Sequence, residues 1–166
     1  MATIDSLVKD FLAQKRIAVT GVRRSREDAA NLAYRKFKVA GYQVFAVNPN
    51  AATFDGDPCY PDLRALYALH EPVDAVFIVN RPEVSLQIVH QCVELGIRRV
   101  WLHCSMGTNP KFAPSLSCAS PEILRLCHEN GITVIPGACP NMFFQADPAH
   151  AMMPGLLRVV GGLNVR

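Results

Sequence analysis

Gly21, Val22, Arg23, Arg24, Ser25 and Arg26 directly follow the apolar run Ile17-Ala18-Val19-Thr20. A glycine there lets the main chain turn tightly and approach a ligand, and a helix starting just beyond offers unpaired N–H groups and the positive end of its dipole. The arginines add guanidinium charge that can pair with phosphate. A solvated basic loop is the plainer alternative, but position and charge together favour phosphate binding. Other apolar runs end on similar residues: Val47-Asn48-Pro49-Asn50, Asn80-Arg81-Pro82, Cys104-Ser105-Met106-Gly107 and Pro136-Gly137-Ala138-Cys139-Pro140. Such small, amide and cationic residues suit the wall of a nucleotide site.

What the first turn lacks narrows the ligand. No second or third glycine follows Gly21 at the G-x-G-x-x-G spacing, which weakens NAD. The acidic residue that would hold the ribose hydroxyls is replaced by Asn48-Pro49-Asn50. A ribose bearing its own phosphate fits better, so coenzyme A and NADP remain, and the residues alone do not separate them.

Catalytic and metal-binding patterns are sparse. His103 and Cys104 are neighbours on a strand, where consecutive side chains point to opposite faces, so they do not form a nucleophile and base pair. Asp147 and His150 lack a third ligand. His70, His90 and His128 fall in or near helical stretches, and no metal is expected. The six cysteines contain no C-x-x-C pair, so reduced, mostly buried thiols are expected. Cys104 and Cys139 are the two that stand among the polar residues at the ends of apolar runs.

These strand ends need a scaffold. Ile4, Leu7, Val8, Phe11 and Leu12 form one helical stripe that Thr3 can cap, giving an N-terminal helix within residues 1–14. Strands are then predicted at residues 17–20, 42–47, 74–79, 100–102 and 132–135. Between them come a helix capped by a Ser25-Arg26-Glu27-Asp28 box, a short helix near Leu63 and Leu66, and helices opened by Pro82 and by Ser120-Pro121. Gly41, Gly96 and Gly131 each separate a helix from the next strand. The strands are nearly continuous apolar runs, as in a sheet covered on both faces. The predicted fold is α/β: a Rossmann-like, doubly wound parallel sheet of five strands, order 3-2-1-4-5, helices on both faces, within one domain over residues 1–166. A ligand would then sit at the carboxyl edge, at the switch between the first and fourth strands. Residues 142–166 carry no clear pattern.

Half of the chain is hydrophobic, 19% is charged and the net charge is only +3, which suits a globular domain and argues against nucleic-acid binding. No apolar run is long enough to span a bilayer, and the first residues lack the features of a signal peptide, so a cytoplasmic protein is expected. A homo-oligomer or a protein partner at a sheet edge or tail stays open.

Taken together, Ile17-Ala18-Val19-Thr20-Gly21, Val47-Asn48-Pro49, Tyr60-Pro61-Asp62-Leu63, Arg81-Pro82, Val100-Trp101-Leu102-His103 and Gly137-Ala138-Cys139-Pro140 resemble the small CoA-binding domain proteins. These are similar in turn to the N-terminal CoA-binding domain of the succinyl-CoA synthetase alpha subunit. The resemblance covers residues 15–145. It implies that residues 21–25 hold the phosphates, that Asn48 and Pro49 border the adenosine, and that Asn80, Arg81 and Pro82 line the next wall. The residues after Trp101 (Cys104, Ser105, Gly107 and, later, Cys139) would flank the pantetheine arm. The chain departs from that family at Arg23-Arg24, where small residues are common. It also lacks the synthetase domain that carries the phosphorylated histidine, so the resemblance implies binding of coenzyme A or an acyl-CoA without turnover. The competing readings are an NADP-dependent oxidoreductase and a scaffold with a vestigial pocket.

Overall fold

The computed structural model describes residues 2–25, 27–69, 71–108, 117–143, 152, 154, 155 and 163. Helix α1 (Ile4–Leu12) begins at Thr3, whose Oγ1 accepts from the Ser6 N–H while Ser6 Oγ accepts from the Thr3 N–H. Strand β1 (Arg16–Thr20) follows, then helix α2 (Ala29–Val39) and strand β2 (Gln43–Val47). A short arm, β3 (Thr53–Phe54) and β4 (Asp57–Tyr60), leads into helix α3 (Leu63–Ala68). Strand β5 (Ala75–Ile78), helix α4 (Pro82–Leu95), strand β6 (Arg99–Leu102), helix α5 (Pro121–Glu129) and strand β7 (Thr133–Ile135) complete the alternation.

The α/β class and the helix-covered, mainly parallel sheet agree with the sequence reading, whereas strand count and order differ. The sheet has seven strands in the order β3-β4-β2-β1-β5-β6-β7, and only β3 runs antiparallel to its neighbour. The strand expected third, at residues 74–79, is β5 and pairs with β1, not outside β2. The outer place beside β2 is taken by β4, through Ala46 opposite Cys59 and Val47 opposite Tyr60. Asp57-Pro58-Cys59-Tyr60 does not read as a strand because proline and aspartate are poor strand formers. It is held instead by tertiary contacts: Tyr34 Oη on α2 donates to Asp57 Oδ2 at 2.6 Å, and the Lys38 ammonium pairs with the same carboxylate. With β4 counted, the parallel strands run 3-2-1-4-5-6, and the switch lies between β1 and β5, not between β1 and the strand at 100–102.

The start of α2 also differs. Ser25 does not cap it; Asp28 does, its Oδ1 accepting from the N–H groups of Ala30 (3.1 Å) and Asn31 (3.3 Å). Ser120 and Pro121 open α5 as expected.

The central strands supply both faces of the sheet, which is why no polar alternation shows in the sequence. On one face Ile17, Val19, Phe77 and Trp101 meet Phe11 of α1 and Phe37 of α2, with Phe11 edge-on to the indole at 5.3 Å. On the other, Ala18, Val76 and Ile78 meet Leu66, Val89 and Ile123. Leu163 is buried in the first of these layers, which places that point of the C-terminal segment against the core. Among the described residues no helix is long and apolar enough to cross a membrane.

Candidate functional site

Strand order opens a groove wherever neighbouring strands send their chains to opposite sides of the sheet, and here that place is above β1 and β5. Its floor is tied by short links. Thr20 Oγ1 donates to Asn80 Oδ1 at 2.7 Å, joining the tips of β1 and β5. The Gly21 N–H donates to the Val47 carbonyl at 3.2 Å, joining β1 to β2. Gly21 has φ +89, and a Cβ at this position would lie 2.1 Å from the Val79 carbonyl oxygen. The close approach that demands glycine is thus to the chain leaving β5, rather than to a ligand as the sequence suggested.

Amide side chains shape the turn above this floor. Asn48 Nδ2 donates to the Val22 carbonyl at 2.6 Å, and Asn48 Oδ1 accepts from the Asn50 N–H at 2.7 Å. Asn31, buried in the first turn of α2, holds the Arg23 main chain from both ends: Oδ1 accepts its N–H and Nδ2 donates to its carbonyl, each at 2.8 Å. Replacing both bonds with a void is costly because the Arg23 groups lose matched partners. Asn31→Ala is expected to lower stability by about 1–2 kcal/mol and to raise hydrogen exchange at the Arg23 amide, measured by denaturant unfolding and exchange mass spectrometry.

The groove encloses about 600 Å³. Gly21, Arg23, Val47, Asn48, Pro49, Asn80 and Arg81 of the predicted site residues line it, together with Thr20 and Asn50. Val22 lies beneath, buried, and half-buried Pro82 opens α4. Arg24 and Ser25 line an adjoining cleft of about 380 Å³ with Arg23, Asn48, Asn50 and Ala51. Arg26, Asp147, His150 and His70 lie outside the described residues. Cys104, Ser105, Gly107 and Cys139 do not line the groove. Cys104 bridges to Ser117 and Ala138, and the Gly107 carbonyl accepts from the Ala138 N–H at 2.9 Å.

Charge in the groove is one-sided. Its lining carries the guanidinium groups of Arg23 and Arg81 against a single carboxylate, Asp62, whose Oδ1 already caps α3 by accepting from the Ala65 N–H at 2.8 Å. The helix N–H groups expected at the start of α2 are taken by Asp28, and Asp28 Oδ2 also pairs with Arg23 Nε at 3.1 Å. The Arg24 and Ser25 N–H groups, by contrast, have no acceptor among the described residues. Helix α4, which starts at Pro82 with no side-chain cap on it, turns its N-terminal end toward the groove through Arg81 and Val84.

Asn31 and the far wall are not among the site residues expected from the sequence. Val84, Gln87, Ile88 and Gln91 line the groove at spacings of three and four, a helical face that was legible. Gln91 Oε1 accepts from the Leu63 N–H at 3.0 Å and so fixes α3 against α4. All six cysteines are free and buried. Loss of hydration pushes the Cys118 thiol up to about 11 and Cys127 to about 12, and it raises Cys59, Cys92 and Cys104 as well. His103 is buried edge-on to Phe77 at 5.9 Å, its Nε2 has no partner among the described residues, and burial lowers its pKa to about 4. No cluster of three potential metal ligands occurs among the described residues.

Solved structures share this architecture. A hypothetical protein from Pyrococcus horikoshii OT3 superposes with a TM-score of 0.68 at 21% identity, covering 83% of this chain and 87% of that one. The dinucleotide forming acetyl-coenzyme A synthetase 1 of Ca. Korarchaeum cryptofilum superposes with a TM-score of 0.57 at 21% identity, covering 72% of this chain and 25% of the synthetase. Among curated proteins, mitochondrial pyruvate carboxylase of Rattus norvegicus is 24% identical over 116 residues, which is 61% of this chain. The match spans only 10% of that carboxylase's length. The family described as CoA binding domain matches residues 15–145, the segment that contains β1 to β7 and the groove. The chain therefore belongs to the CoA binding domain family.

Proposed function

We propose that the chain binds coenzyme A, free or acylated, in the groove above β1 and β5, and that it carries or senses this ligand without transforming it. The observation that supports this most is the pair of guanidinium groups, Arg23 and Arg81, in a groove whose one carboxylate is already engaged at a helix cap. A diphosphate is the group such a lining complements. The Arg24 and Ser25 N–H groups supply further donors, Asn48 and Pro49 border the adenosine, and Leu63, Val84 and Ile88 give the arm an apolar wall.

The non-catalytic part rests on what the wall is made of. Among the described lining residues there is no histidine, cysteine or lysine, and Asp62 is committed to the α3 cap. Nucleophilic or general-base catalysis needs such a group within hydrogen-bond reach of the substrate.

Calorimetry against coenzyme A, acetyl-CoA, NADP and NAD tests the reading. Coenzyme A and acetyl-CoA should bind with similar affinity and both dinucleotides far more weakly. Arg23→Ala and Arg81→Ala should each weaken coenzyme A by about tenfold, the scale of one charge-assisted hydrogen-bond pair in a partly exposed groove. Tighter binding of NADP than of coenzyme A would instead support an oxidoreductase, and absence of any binding a scaffold role. Consumption of acetyl-CoA during prolonged incubation would end the non-catalytic part.

A further inference from the structure

We infer that Arg24 reads the 3′-phosphate on the ribose of coenzyme A, so that the chain distinguishes coenzyme A from dephospho-CoA. This rests on the groove being the coenzyme A site. The cleft that adjoins the groove is lined by Arg23, Arg24, Ser25, Asn48, Asn50 and Ala51, with two guanidinium groups and no carboxylate. It shares Arg23, Asn48 and Asn50 with the groove, so a ligand lying along the tip of β2 passes directly from one to the other.

Among the described residues the neighbouring cations each have a carboxylate partner. Arg23 pairs with Asp28, and Arg35 is bound by both Glu27 and Asp55. Among the described residues the Arg24 side chain makes one hydrogen bond, from Nη2 to the Asn50 carbonyl at 3.3 Å, and it remains exposed. That bond lays the guanidinium across the end of β2 and leaves the rest of its five-donor fork for an anion. In sheets of this order the tip of β2 is where a ribose is met: an acid there accepts from ribose hydroxyls, whereas an arginine accommodates a ribose phosphate. Here the tip carries Asn48, Pro49 and Asn50, with Arg24 bonded to it. A phosphomonoester would bring the counter-charge that the cleft itself does not contain.

The test is paired calorimetry of the full chain with coenzyme A and dephospho-CoA, for the native protein, Arg24→Ala and Arg24→Lys, repeated at two salt concentrations. The native protein should prefer coenzyme A by roughly 10- to 100-fold, the range of a charge-assisted contact. The preference should fall to about unity in Arg24→Ala, recover in part in Arg24→Lys, which keeps the charge and loses the fork, and shrink as salt screens it. Equal binding of the two ligands by the native protein would overturn this inference alone. So would an Arg24→Ala variant that keeps the native preference. Failure of both ligands to bind would overturn the coenzyme A reading, and this inference with it.

Discussion

Gly21→Ala is expected to lower the free energy of unfolding by about 3 kcal/mol, a loss of roughly 6–12 °C in Tm for a chain of this size, and to weaken coenzyme A binding with it. Two costs add. A φ of +89 strains any residue with a Cβ by about 1–2 kcal/mol. The new methyl group would also stand 2.1 Å from the Val79 carbonyl oxygen and 3.3 Å from Asn80 Oδ1, forcing the tips of β1 and β5 apart. That movement stretches the Thr20 to Asn80 bond and shifts Asn80 and Arg81 at the groove wall. Gly41 separates the two costs, since its φ is +91 and nothing lies within 4 Å of its added Cβ. Gly41→Ala should therefore show the strain alone and leave binding intact. Thermal unfolding followed through the fluorescence of the one tryptophan, buried Trp101, measures both variants. Equal losses in the two would mean that the β5 chain yields to the methyl group without resistance.

The second large effect is on pH. Burial lowers His103 to about 4, against about 6.5 in an unfolded chain. The folded protein thus binds fewer protons than the unfolded one between these values, and stability must rise with pH across that interval. Above pH 6.5 the imidazole is neutral in both states and the full stability is present. On acidification the unfolded state gains a proton first, and the deficit reaches on the order of 3 kcal/mol near pH 4. The carboxylates of Asp55, Asp57 and Glu94 are held below their ordinary range by Arg35, Lys38 and Arg64, so their contributions are lost only at lower pH, as each is protonated. Urea unfolding at pH 7.0 and 4.5 should therefore show a large fall in the native protein and a much smaller one in His103→Leu. A flat native profile over that interval would mean that His103 is protonated at little cost in the fold.

Much of this architecture could be read from the residues because the strands of the central sheet are buried on both faces. Ile17 and Val19 feed one layer and Ala18 the other, so the run is apolar throughout and cannot belong to a solvated strand. Helix starts were legible where a single good cap stands before the helix, as with Thr3 and Ser120. Before α2 both Ser25 and Asp28 are competent caps by residue type, and Asp28 is the one whose carboxylate meets the Ala30 and Asn31 N–H groups. The place of β4 was hidden because its pairing depends on Tyr34 and Lys38, more than twenty residues earlier in the case of Tyr34, rather than on its own β propensity.

Strand order was the less legible part, since it depends on which edge each crossover returns to. With β4 beside β2, β5 takes the free side of β1, and the groove lies above that pair. The strand tips that line the groove were nonetheless visible as clusters of glycine, asparagine, proline and arginine. Asn31 was not, because an asparagine in the first turn of a helix looks like local capping, while its actual partner is the main chain of Arg23.

The burial of all six thiols has a practical consequence. A single cysteine introduced at the rim of the groove, at Pro49 or Gln87 for instance, would be the one accessible sulfhydryl on a chain whose native ones are shielded. A fluorophore attached there would report ligand entry without any native cysteine having to be removed.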